Sequence, residues 1–448
     1  ERATELLDVP FDLITGPLLR VHVLQTPGVG EAGSETLMLI MMHHIISDGW
    51  SMSVLCNDLS RFYNAALRGG TVPQPLALQY PDYALWQQQR LAAPAVTAAE
   101  HYWQEQLEGA PPLLDLPADH ARPPAQTFAG AWVSCQLPTA MHNDLQSFAN
   151  GAGVSLFMVL LTAFKALLYR HTGRRDLLVG TPVAGRTRTS LEPLIGCFLN
   201  TLVLRTRCGS NPTFTDLLAC VRETTLAAYD HQELPFERLL ELLQPPRSPE
   251  HTPVVQVMFN LHNERGSGLQ LHDLHAEPLM LARAAAKFDL SVAVSETPSG
   301  LQCGFEYNTD LFSAATVERF MKDYTALLEA LLSDAGQPIA AVPLAAPAAS
   351  QVALPDTVFN AEAYPSIGAR LHAVIAEHGL RPAVILPRRT VTYRELGARA
   401  AAVALALKDA GAQRGQAVGL LLGHDDEMLA GVLGVLLAGC AYVPLDRN

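Results

Sequence analysis

The stretch MMHHIISDG at residues 41–49 places two adjacent histidines, His43 and His44, after an apolar run, and an aspartate, Asp48, four residues beyond the second histidine. The preceding residues favour a strand, on which successive side chains point to opposite faces. We therefore expect His43 and His44 to end one strand on opposite faces, so that only one faces a given cleft. Asp48 and Gly49 predict a turn that returns the carboxylate toward the strand end. From these residues alone, an inert buried pair and a functional site both remain open.

The elements around this stretch predict a mixed α/β unit. Residues 18–24 and 36–42 have strand character, and residues 51–67 carry apolar side chains at helical spacing, with Ser51 as the predicted N-cap. The loop between the strands contains GVGEAG at 28–33, which matches the GxGxxG dinucleotide fingerprint. A β-rich run follows it, rather than the helix whose N-terminus must meet a pyrophosphate. The match therefore indicates a hairpin loop and not a nucleotide site.

The rest of the chain predicts a second α/β lobe, a linker and a third α/β segment. Residues 111–124 are proline-rich and separate the lobes, and Ala/Pro-rich residues 337–356 lack an amphipathic period, which is typical of a linker. Helix–strand alternation restarts at Ile367. The predicted segments are 1–120, 121–336, 337–362 and 363–448. In the second segment, helices are predicted at 144–149, 155–169, 214–230 and 314–332, and strands at 176–179, 254–261 and 290–307.

Composition and charge exclude several classes of protein. The chain has 448 residues, of which 49% are hydrophobic and 17% charged, as in ordinary folded proteins. Its formal net charge of −13 argues against a nucleic-acid partner, because phosphate binding needs clustered Lys and Arg. Seven cysteines without a CxxC pair predict neither a zinc site nor a disulfide framework, and they fit a reducing, cytoplasmic location.

Features near the two ends of the chain bear on targeting. No signal peptide opens the chain, which starts without an initiator Met, as a fragment would. The uncharged stretch 428–445 is long enough for a membrane-spanning helix, but Gly431, Gly434 and Gly439 interrupt it. We expect this stretch to end in a turn and a short buried strand, and we expect no membrane partner.

Seven stretches, in order along the chain, resemble one protein family. HHIISDG at 43–49 resembles the HHxxxDG signature of the condensation domains of nonribosomal peptide synthetases, which are relatives of chloramphenicol acetyltransferase. The resemblance covers about residues 1–340 and implies the two-lobed α/β fold of that acetyltransferase, with 1–120 and 121–336 as its N-terminal and C-terminal lobes. Because the family's first lobe begins well before its histidine motif, we expect the first lobe here to be incomplete. The six further stretches are YPDYALW at 80–86, GTPVAGR at 180–186, IGCFLNT at 195–201, HQELPFE at 231–237, QVMFN at 256–260 and YNTD at 307–310.

A second resemblance lies beyond the predicted linker. VTYREL at 391–396 and LAGCAYVPLD at 437–446 resemble the first two core motifs of an adenylation domain. Segment 363–448 is therefore expected to be the N-terminal fragment of such a domain. The family's phosphate-binding loop, amino-acid pocket and catalytic lysine would follow residue 448, so we do not expect this segment alone to activate an amino acid.

The first resemblance implies peptide-bond formation. An upstream acyl or peptidyl thioester donates to the α-amine of a downstream aminoacyl thioester, and both substrates arrive on the phosphopantetheine arms of carrier domains. The expected partners are the donor and acceptor peptidyl carrier domains and the adjacent adenylation domain, and no cofactor is expected to bind the chain itself. A free α-amine has a pKa of about 7.7–8.0 and is partly neutral already, so we expect positioning to matter more than proton abstraction.

The resemblance also implies roles for individual residues. His44 is expected to face the cleft and to hydrogen-bond the attacking amine or the tetrahedral centre, while His43 packs within its lobe. Asp48 is expected to pair with Arg186 and to hold the loop that orients His44, rather than to act as an acid. Gly49 fits where a side chain would obstruct the amine, although an ordinary turn glycine explains it equally well.

One further site residue and several departures from the family pattern complete the prediction. Asn260 is expected to line the channel opposite His44. Cys197 stands where an aromatic residue is usual, and we expect it to alter the channel floor. None of the departures is expected to touch the catalytic group. The other departures are Val254 and Val255 in place of a commoner Leu-Phe pair, and Ala438 and Cys440 in place of Lys and Gly.

Two alternative functions of the same fold remain open. An epimerising relative uses the same histidine motif, but Trp50 and Ser51, together with the adenylation-like segment downstream, favour the condensation subtype. A non-catalytic, partner-recruiting domain tends to lose the second histidine, which this chain keeps, and a heterocyclising variant carries DxxxxD instead. Elsewhere, His272 and His275 lack a third metal ligand at characteristic spacing and are expected to be solvated loop histidines.

Overall fold

The computed structural model describes most of the chain in two compact units, Glu1–Ala348 and Ala349–Asn448. The GxGxxG match at 28–33 and residues 345–362 of the predicted linker lie outside the described residues. The strand that follows the match is present, so no helix N-terminus follows it. The described residues are 2–7, 9–25, 36–92, 96–246, 248–262, 268–277, 279, 285–344, 367–386, 389–423 and 425–445.

Up to residue 107, the described part of the first unit forms a short antiparallel sheet and four helices. Strand β1 (Leu19–Gln25) pairs with β2 (Thr36–Met42), with Leu19 opposite Met42, which confirms the predicted hairpin. Asp48, and not the predicted Ser51, is the N-cap of the long helix, because its extended backbone lets its carboxylate accept from the Ser51 amide at 2.8 Å. The helices are α1 (Arg2–Leu7), α2 (Gly49–Arg68), α3 (Tyr80–Leu91) and α4 (Val96–Leu107).

A mixed six-stranded sheet of order β3-β8-β7-β6-β4-β5 forms the rest of this unit. The central pairs β6–β7 and β4–β6 are parallel, while β3–β8, β7–β8 and β4–β5 are antiparallel. The strand-rich region predicted at 290–307 is a hairpin of two strands. The strands are β3 (Gly130–Pro138), β4 (Asp176–Val183), β5 (Asn200–Arg207), β6 (Val257–His262), β7 (Leu290–Thr297) and β8 (Gly300–Asn308).

In the described residues from 130 to 344, five helices cover this sheet, and their apolar faces form the main core. The helix predicted at 214–230 coincides with α7. Helix α6 is buried over most of its length, and its Phe164 stacks on Phe259 of β6 with ring centroids 5.4 Å apart. The apolar stripe at 157–164 is therefore part of the core. The helices are α5 (Thr139–Ala152), α6 (Leu156–Thr172), α7 (Phe214–Asp230), α8 (Phe236–Leu243) and α9 (Ala314–Ser333).

The first residues of the predicted linker belong to this fold. Ile339 and Val342 are buried in the core, and both of their carbonyl groups accept hydrogen bonds from Arg170, at 2.6 and 2.7 Å. The prediction that the linker starts at residue 337 is therefore wrong for residues 337–344. The cause is that two isolated apolar side chains, set among alanines and prolines, produce no periodic pattern but still fill core positions.

Within its described residues, the second unit forms three helices and two small sheets. Strands β9 and β10 are antiparallel, and β11 and β12 are parallel. The uncharged stretch 428–445 forms most of α12, a turn at Gly439 and strand β12, which is exposed rather than buried as predicted. The elements are α10 (Ile367–His378), β9 (Pro382–Leu386), β10 (Arg389–Thr392), α11 (Tyr393–Asp409), β11 (Ala417–Leu420), α12 (Asp426–Leu437) and β12 (Ala441–Pro444).

Within the described ranges, no single helix is long and apolar enough to cross a membrane. The bent pair α5–α6 reaches that length and composition together, with an angle of 103° between the two helices, and most of α6 is buried in the core.

Candidate active site

The two histidines leave the strand at its end instead of lying on it. Strand β2 ends at Met42, where its partner β1 begins, and only the His43 amide continues the pairing, by donating to the Leu18 carbonyl at 3.0 Å. His44 starts a 3₁₀ turn that runs to Ile46. The prediction that both histidines lie on one strand is therefore wrong, because the ladder runs out of partners before it reaches them.

His43 has a packing environment. Its ring is half-buried and meets Phe11 edge to face, with centroids 5.8 Å apart. Its Nδ1 accepts a hydrogen bond from the Ile45 amide at 3.1 Å, which caps the 3₁₀ turn. With Nδ1 occupied and one ring face covered, His43 is placed to hold the turn in shape rather than to meet a substrate.

His44 is exposed, and its ring meets a thiol from a distant part of the chain. The Cys197 Sγ lies 3.9 Å from His44 Nδ1. The expectation that none of the departures touches this group is therefore wrong, because the fold joins positions 153 residues apart. Burial raises the pKa of the Cys197 thiol, and Asp48 and Glu237 add to the effect. The thiol thus stays protonated near neutral pH and can donate to Nδ1, which leaves Nε2 of His44 for a reacting group.

Asp48 is the centre of a buried ion pair. Its Oδ2 accepts from Arg186 Nη1 at 2.7 Å and from the Phe198 amide at 3.0 Å, and its Oδ1 accepts from the Ser51 hydroxyl at 2.7 Å. The two charged side chains are 2% and 1% exposed. Burial alone would raise the pKa of Asp48, but the hydrogen bonds from Arg186 and Ser51 outweigh it and lower that pKa. Asp48 is consequently an anchored carboxylate without a free proton to give.

The ion pair fastens the segment that connects β4 to β5, residues 184–199, to helix α2. We call these residues the crossing segment. The Ser51 hydroxyl oxygen accepts from the Gly196 amide at 3.1 Å, and the Trp50 indole donates to the Glu192 carbonyl at 2.9 Å. The Arg186 guanidinium lies over the Phe198 ring, 4.2 Å from its centroid. These contacts hold Cys197 beside His44.

Gly185 sits in the crossing segment where a side chain is not tolerated, and we expect Gly185→Ala to destabilise the protein. Its φ is +65°, and a Cβ there would overlap the Phe198 carbonyl. Gly153 has a φ of +64° with nothing near its missing Cβ, so Gly153→Ala isolates the backbone strain of about 1–2 kcal/mol. Urea unfolding should show that Gly185→Ala loses more unfolding free energy than Gly153→Ala does. Equal losses would mean that the overlap with Phe198 carries no energy.

The two remaining predicted site residues differ in their placement. Gly49 is exposed and is the first residue of α2, directly after the Asp48 cap, so it lies beside the site. The Asn260 side chain instead lies 3.2 Å from His262 Nε2 on its own strand β6. No contact among the described residues brings Asn260 to His43 or His44.

A cavity of about 510 Å³ adjoins the crossing segment. Ile45 and Cys197 line it next to His44, and Tyr80, Tyr83 and Trp86 of α3 line it further on. The Tyr80 hydroxyl donates to the Cys197 carbonyl at 2.8 Å. The stretches at 80–86, 195–201 and 231–237 thus converge on one cavity. Among these residues, a role was predicted from the sequence only for Cys197, and the resemblance of all three stretches to one family was the signal that could have indicated the others.

The histidines at 272 and 275 form no metal site with their neighbours. Arg68 Nη2 lies 2.8 Å from His272 Nδ1, and His275 pairs with Glu277 at 2.9 Å. In the described part of the chain, no group of three or more His, Cys, Asp or Glu side chains is arranged to hold a metal ion. His275 is solvated as expected, whereas His272 contacts α2 through Arg68.

Two family models match the chain. The model for the condensation domain matches residues 1–353, and the model for the AMP-binding enzyme matches residues 371–448. The chain therefore belongs to the condensation domain family and continues into an AMP-binding enzyme domain, the adenylation domain of such synthetases. Condensation domains of this family are amide-forming catalytic domains of nonribosomal peptide synthetases.

The relatives are parts of large synthetases. The chain is 41% identical to a linear gramicidin synthase of Brevibacillus parabrevis, over 98% of this chain and 8% of that protein. It is 36% identical to surfactin synthase subunit 1 of Bacillus subtilis (strain 168), over 100% of this chain and 12% of that protein. The chain thus spans about a tenth of the length of these relatives.

Solved structures share the fold. The X-domain from teicoplanin biosynthesis superposes with a TM-score of 0.68 at 28% identity, over 76% of this chain and 78% of that chain. A four-domain nonribosomal peptide synthetase bound to AMP and glycine gives a TM-score of 0.67 at 26% identity, over 100% of this chain and 35% of that chain.

Proposed function

We propose that this chain joins an upstream acyl or peptidyl thioester to the α-amine of a downstream aminoacyl thioester, as a step of nonribosomal peptide synthesis. The observation that carries the proposal is the placement of His44. Its ring is exposed beside a cavity, and a buried Asp48–Arg186 ion pair fixes the surrounding turn and crossing segment. The family and the adjacent AMP-binding domain support the same reaction.

The reaction needs positioning more than strong base catalysis. The amine nitrogen attacks the thioester carbonyl, the carbon–sulfur bond breaks, and the amine proton passes to the departing thiolate. His44 Nε2 holds the attacking amine or the tetrahedral centre and relays that proton. Holding two tethered reactants together supplies about 7–11 kcal/mol, whereas a well-placed general base contributes about 10²–10⁴-fold.

The substrates and partners follow from this reaction. Both thioesters arrive on phosphopantetheine arms of carrier domains, one upstream and one downstream, and the arms are parts of the substrates rather than resident cofactors. The AMP-binding domain that begins at residue 371 belongs to the module that loads the acceptor. The net charge of −13 and the absence of clustered basic residues in the sequence argue against nucleic acid as a partner.

Two other functions of this fold compete with amide formation. The X-domain of teicoplanin biosynthesis was solved in complex with OxyB, so a domain of this fold can bind a partner protein. An exposed second histidine, held by a buried ion pair, favours catalysis over recruitment alone. An epimerising relative would use the same histidine, but the condensation-type residues Trp50 and Ser51 both bind the crossing segment here, which favours condensation.

A reconstituted transfer between carriers tests the proposal. A synthetase module that contains this chain is mixed with a donor-loaded carrier and an acceptor-loaded carrier, and intact-protein mass spectrometry follows both. We expect the acceptor carrier to gain the donor acyl group through an amide that survives thioester cleavage. If both carriers stay loaded and the acceptor never gains the acyl group, the proposed reaction is wrong.

A further inference from the structure

Two cysteines far from the proposed active site face each other across the edge of the six-stranded sheet. Cys135 of β3 and Cys303 of β8 are direct partners in the antiparallel ladder. Directly opposite residues in such a ladder have Cα atoms about 4.5–5.5 Å apart, within the range of about 4.4–6.8 Å that disulfides span. A bridge between these two positions therefore requires little backbone movement.

Both thiols lie on the face of the sheet that the helices cover. In β3, Val133, Cys135 and Leu137 are more buried than the exposed residues between them, and they oppose buried residues of β8. Cys303 is 0% exposed, and Cys135 is half-buried. Since both side chains project into the same layer between the sheet and its helices, the sulfur atoms point toward one another rather than to opposite faces.

The two thiols differ in reactivity and access. Contact with the Cys303 thiol lowers the pKa of Cys135, whereas contact with Cys135, together with burial, raises the pKa of Cys303. Strand β3 is one of the two edge strands of the sheet, and Cys135 is half-buried whereas Cys303 is fully buried, so Cys135 is the member of the pair that a small reagent reaches first. A half-buried thiol with a lowered pKa at the edge, and a fully buried thiol behind it, are the arrangement of an attacking and a resolving cysteine.

We propose that Cys135 and Cys303 are a reversible redox modification site, which forms a cross-strand disulfide by exchange with a low-molecular-weight disulfide such as oxidised glutathione. The Cys135 thiolate attacks one glutathione sulfur, the glutathione disulfide breaks, and one glutathione thiolate leaves. Cys303 then attacks the Cys135 sulfur of the mixed disulfide, passes its proton to the second leaving glutathione thiolate, and completes the bridge. Two protein thiols are oxidised and one glutathione disulfide is reduced to two thiols.

The bridge would fasten the edge strand to its neighbour. Residues 135 and 303 enclose much of the six-stranded sheet, and a cross-link over so long a loop restricts the unfolded chain strongly. The oxidised protein should therefore unfold at a higher temperature than the reduced protein. This inference does not depend on the proposed amide-forming reaction, because neither cysteine belongs to the crossing segment or lines its cavity.

Titration of the folded full chain with mixtures of reduced and oxidised glutathione tests the proposal. Samples are quenched with N-ethylmaleimide and digested without reduction, and mass spectrometry identifies the linked peptides. We expect a Cys135–Cys303 peptide with a mass loss of about 2 Da, reversed by dithiothreitol, and a higher unfolding temperature. Cys135→Ser and Cys303→Ala should each abolish the link, with circular dichroism reporting that the fold is kept.

Cys208 and Cys220 provide the matched comparison within the same chain. Burial is the main cause that raises the pKa of Cys208 to about 11, and Cys220 is close enough to raise that pKa slightly. These two cysteines are not partners in a strand ladder. We expect this pair to stay unlinked at mixtures that link Cys135 to Cys303, and Cys208→Ser to leave that link unchanged. A glutathione adduct on Cys135 that never resolves, no reaction at any mixture, or earlier linkage of Cys208 to Cys220 would each overturn the proposal.

Discussion

Replacing His44 with alanine is expected to reduce amide formation by about 10²–10⁴-fold, the usual contribution of a positioned proton-transfer group. The ring is exposed and carries no core packing, so the free energy of unfolding should stay near that of the wild type. Carrier loading, measured by intact-protein mass spectrometry, should also be unchanged, since the substitution removes only the group beside the reacting atoms. The rate is read as dipeptidyl product per module under single-turnover conditions.

The matched control for this result is His101→Ala. His101 is another exposed histidine, on α4, outside the crossing segment and its cavity. This variant should form amide at the wild-type rate. Equal amounts of amide product from His44→Ala and wild type would show that His44 takes no part in the reaction.

Asp48→Asn should cost about 3–5 kcal/mol of unfolding free energy, because it leaves the Arg186 guanidinium buried without its counter-charge. Amide formation should fall as well, since the crossing segment that holds Cys197 beside His44 loses its anchor. Urea unfolding at pH 7 gives the first quantity and the carrier assay the second. Asp58→Asn is the matched control, because Asp58 pairs with Arg61 on the surface at 3.5 Å and should change the stability by at most about 0.5 kcal/mol.

The Asp48–Arg186 pair also predicts how the free energy of unfolding depends on pH. The pKa of Asp48 is lower in the folded protein than in the unfolded chain, where it is about 3.9. Its stabilising contribution is therefore fully present above that unfolded value and is lost as the pH falls through the lowered folded pKa. The stability gap between wild type and Asp48→Asn should close in acid. An Asp48→Asn variant that is fully stable but inactive would instead place Asp48 in the chemistry.

Local sequence patterns predicted much of the fold because the relevant energies are local or periodic. The strand at 36–42, the helix at 214–230 and the alternation of β7 and β8 each carry a repeat of apolar side chains that reports one buried face. The histidine motif also indicated the site, although His44 begins a 3₁₀ turn instead of ending the strand as predicted. In this antiparallel pair, β2 ends at Met42 because its partner β1 begins at Leu19. The residues around His43 do not determine where β1 begins.

The family resemblance implied the Asp48–Arg186 pair, but other contacts between distant segments did not follow from the sequence patterns. Cys197 approaches His44 only after the crossing segment is fastened to α2, and no spacing rule links these two positions. Lys165 is fully buried in α6 because the Leu204 carbonyl accepts from its ammonium at 2.7 Å, an arrangement that an apolar stripe does not reveal. Such side chains depend on partners supplied by other elements, so their placement follows from the tertiary structure alone.

An isotope experiment tests the central claim most directly. The module receives a donor aminoacyl thioester with deuterium on its α-carbon and an acceptor aminoacyl thioester with a heavy-nitrogen amine. If His44 serves amide formation, the product on the acceptor carrier contains the heavy nitrogen in its new amide and keeps the deuterium. Loss of deuterium without any amide would instead identify an epimerising domain, and unchanged substrates with an intact fold would contradict catalysis at this site.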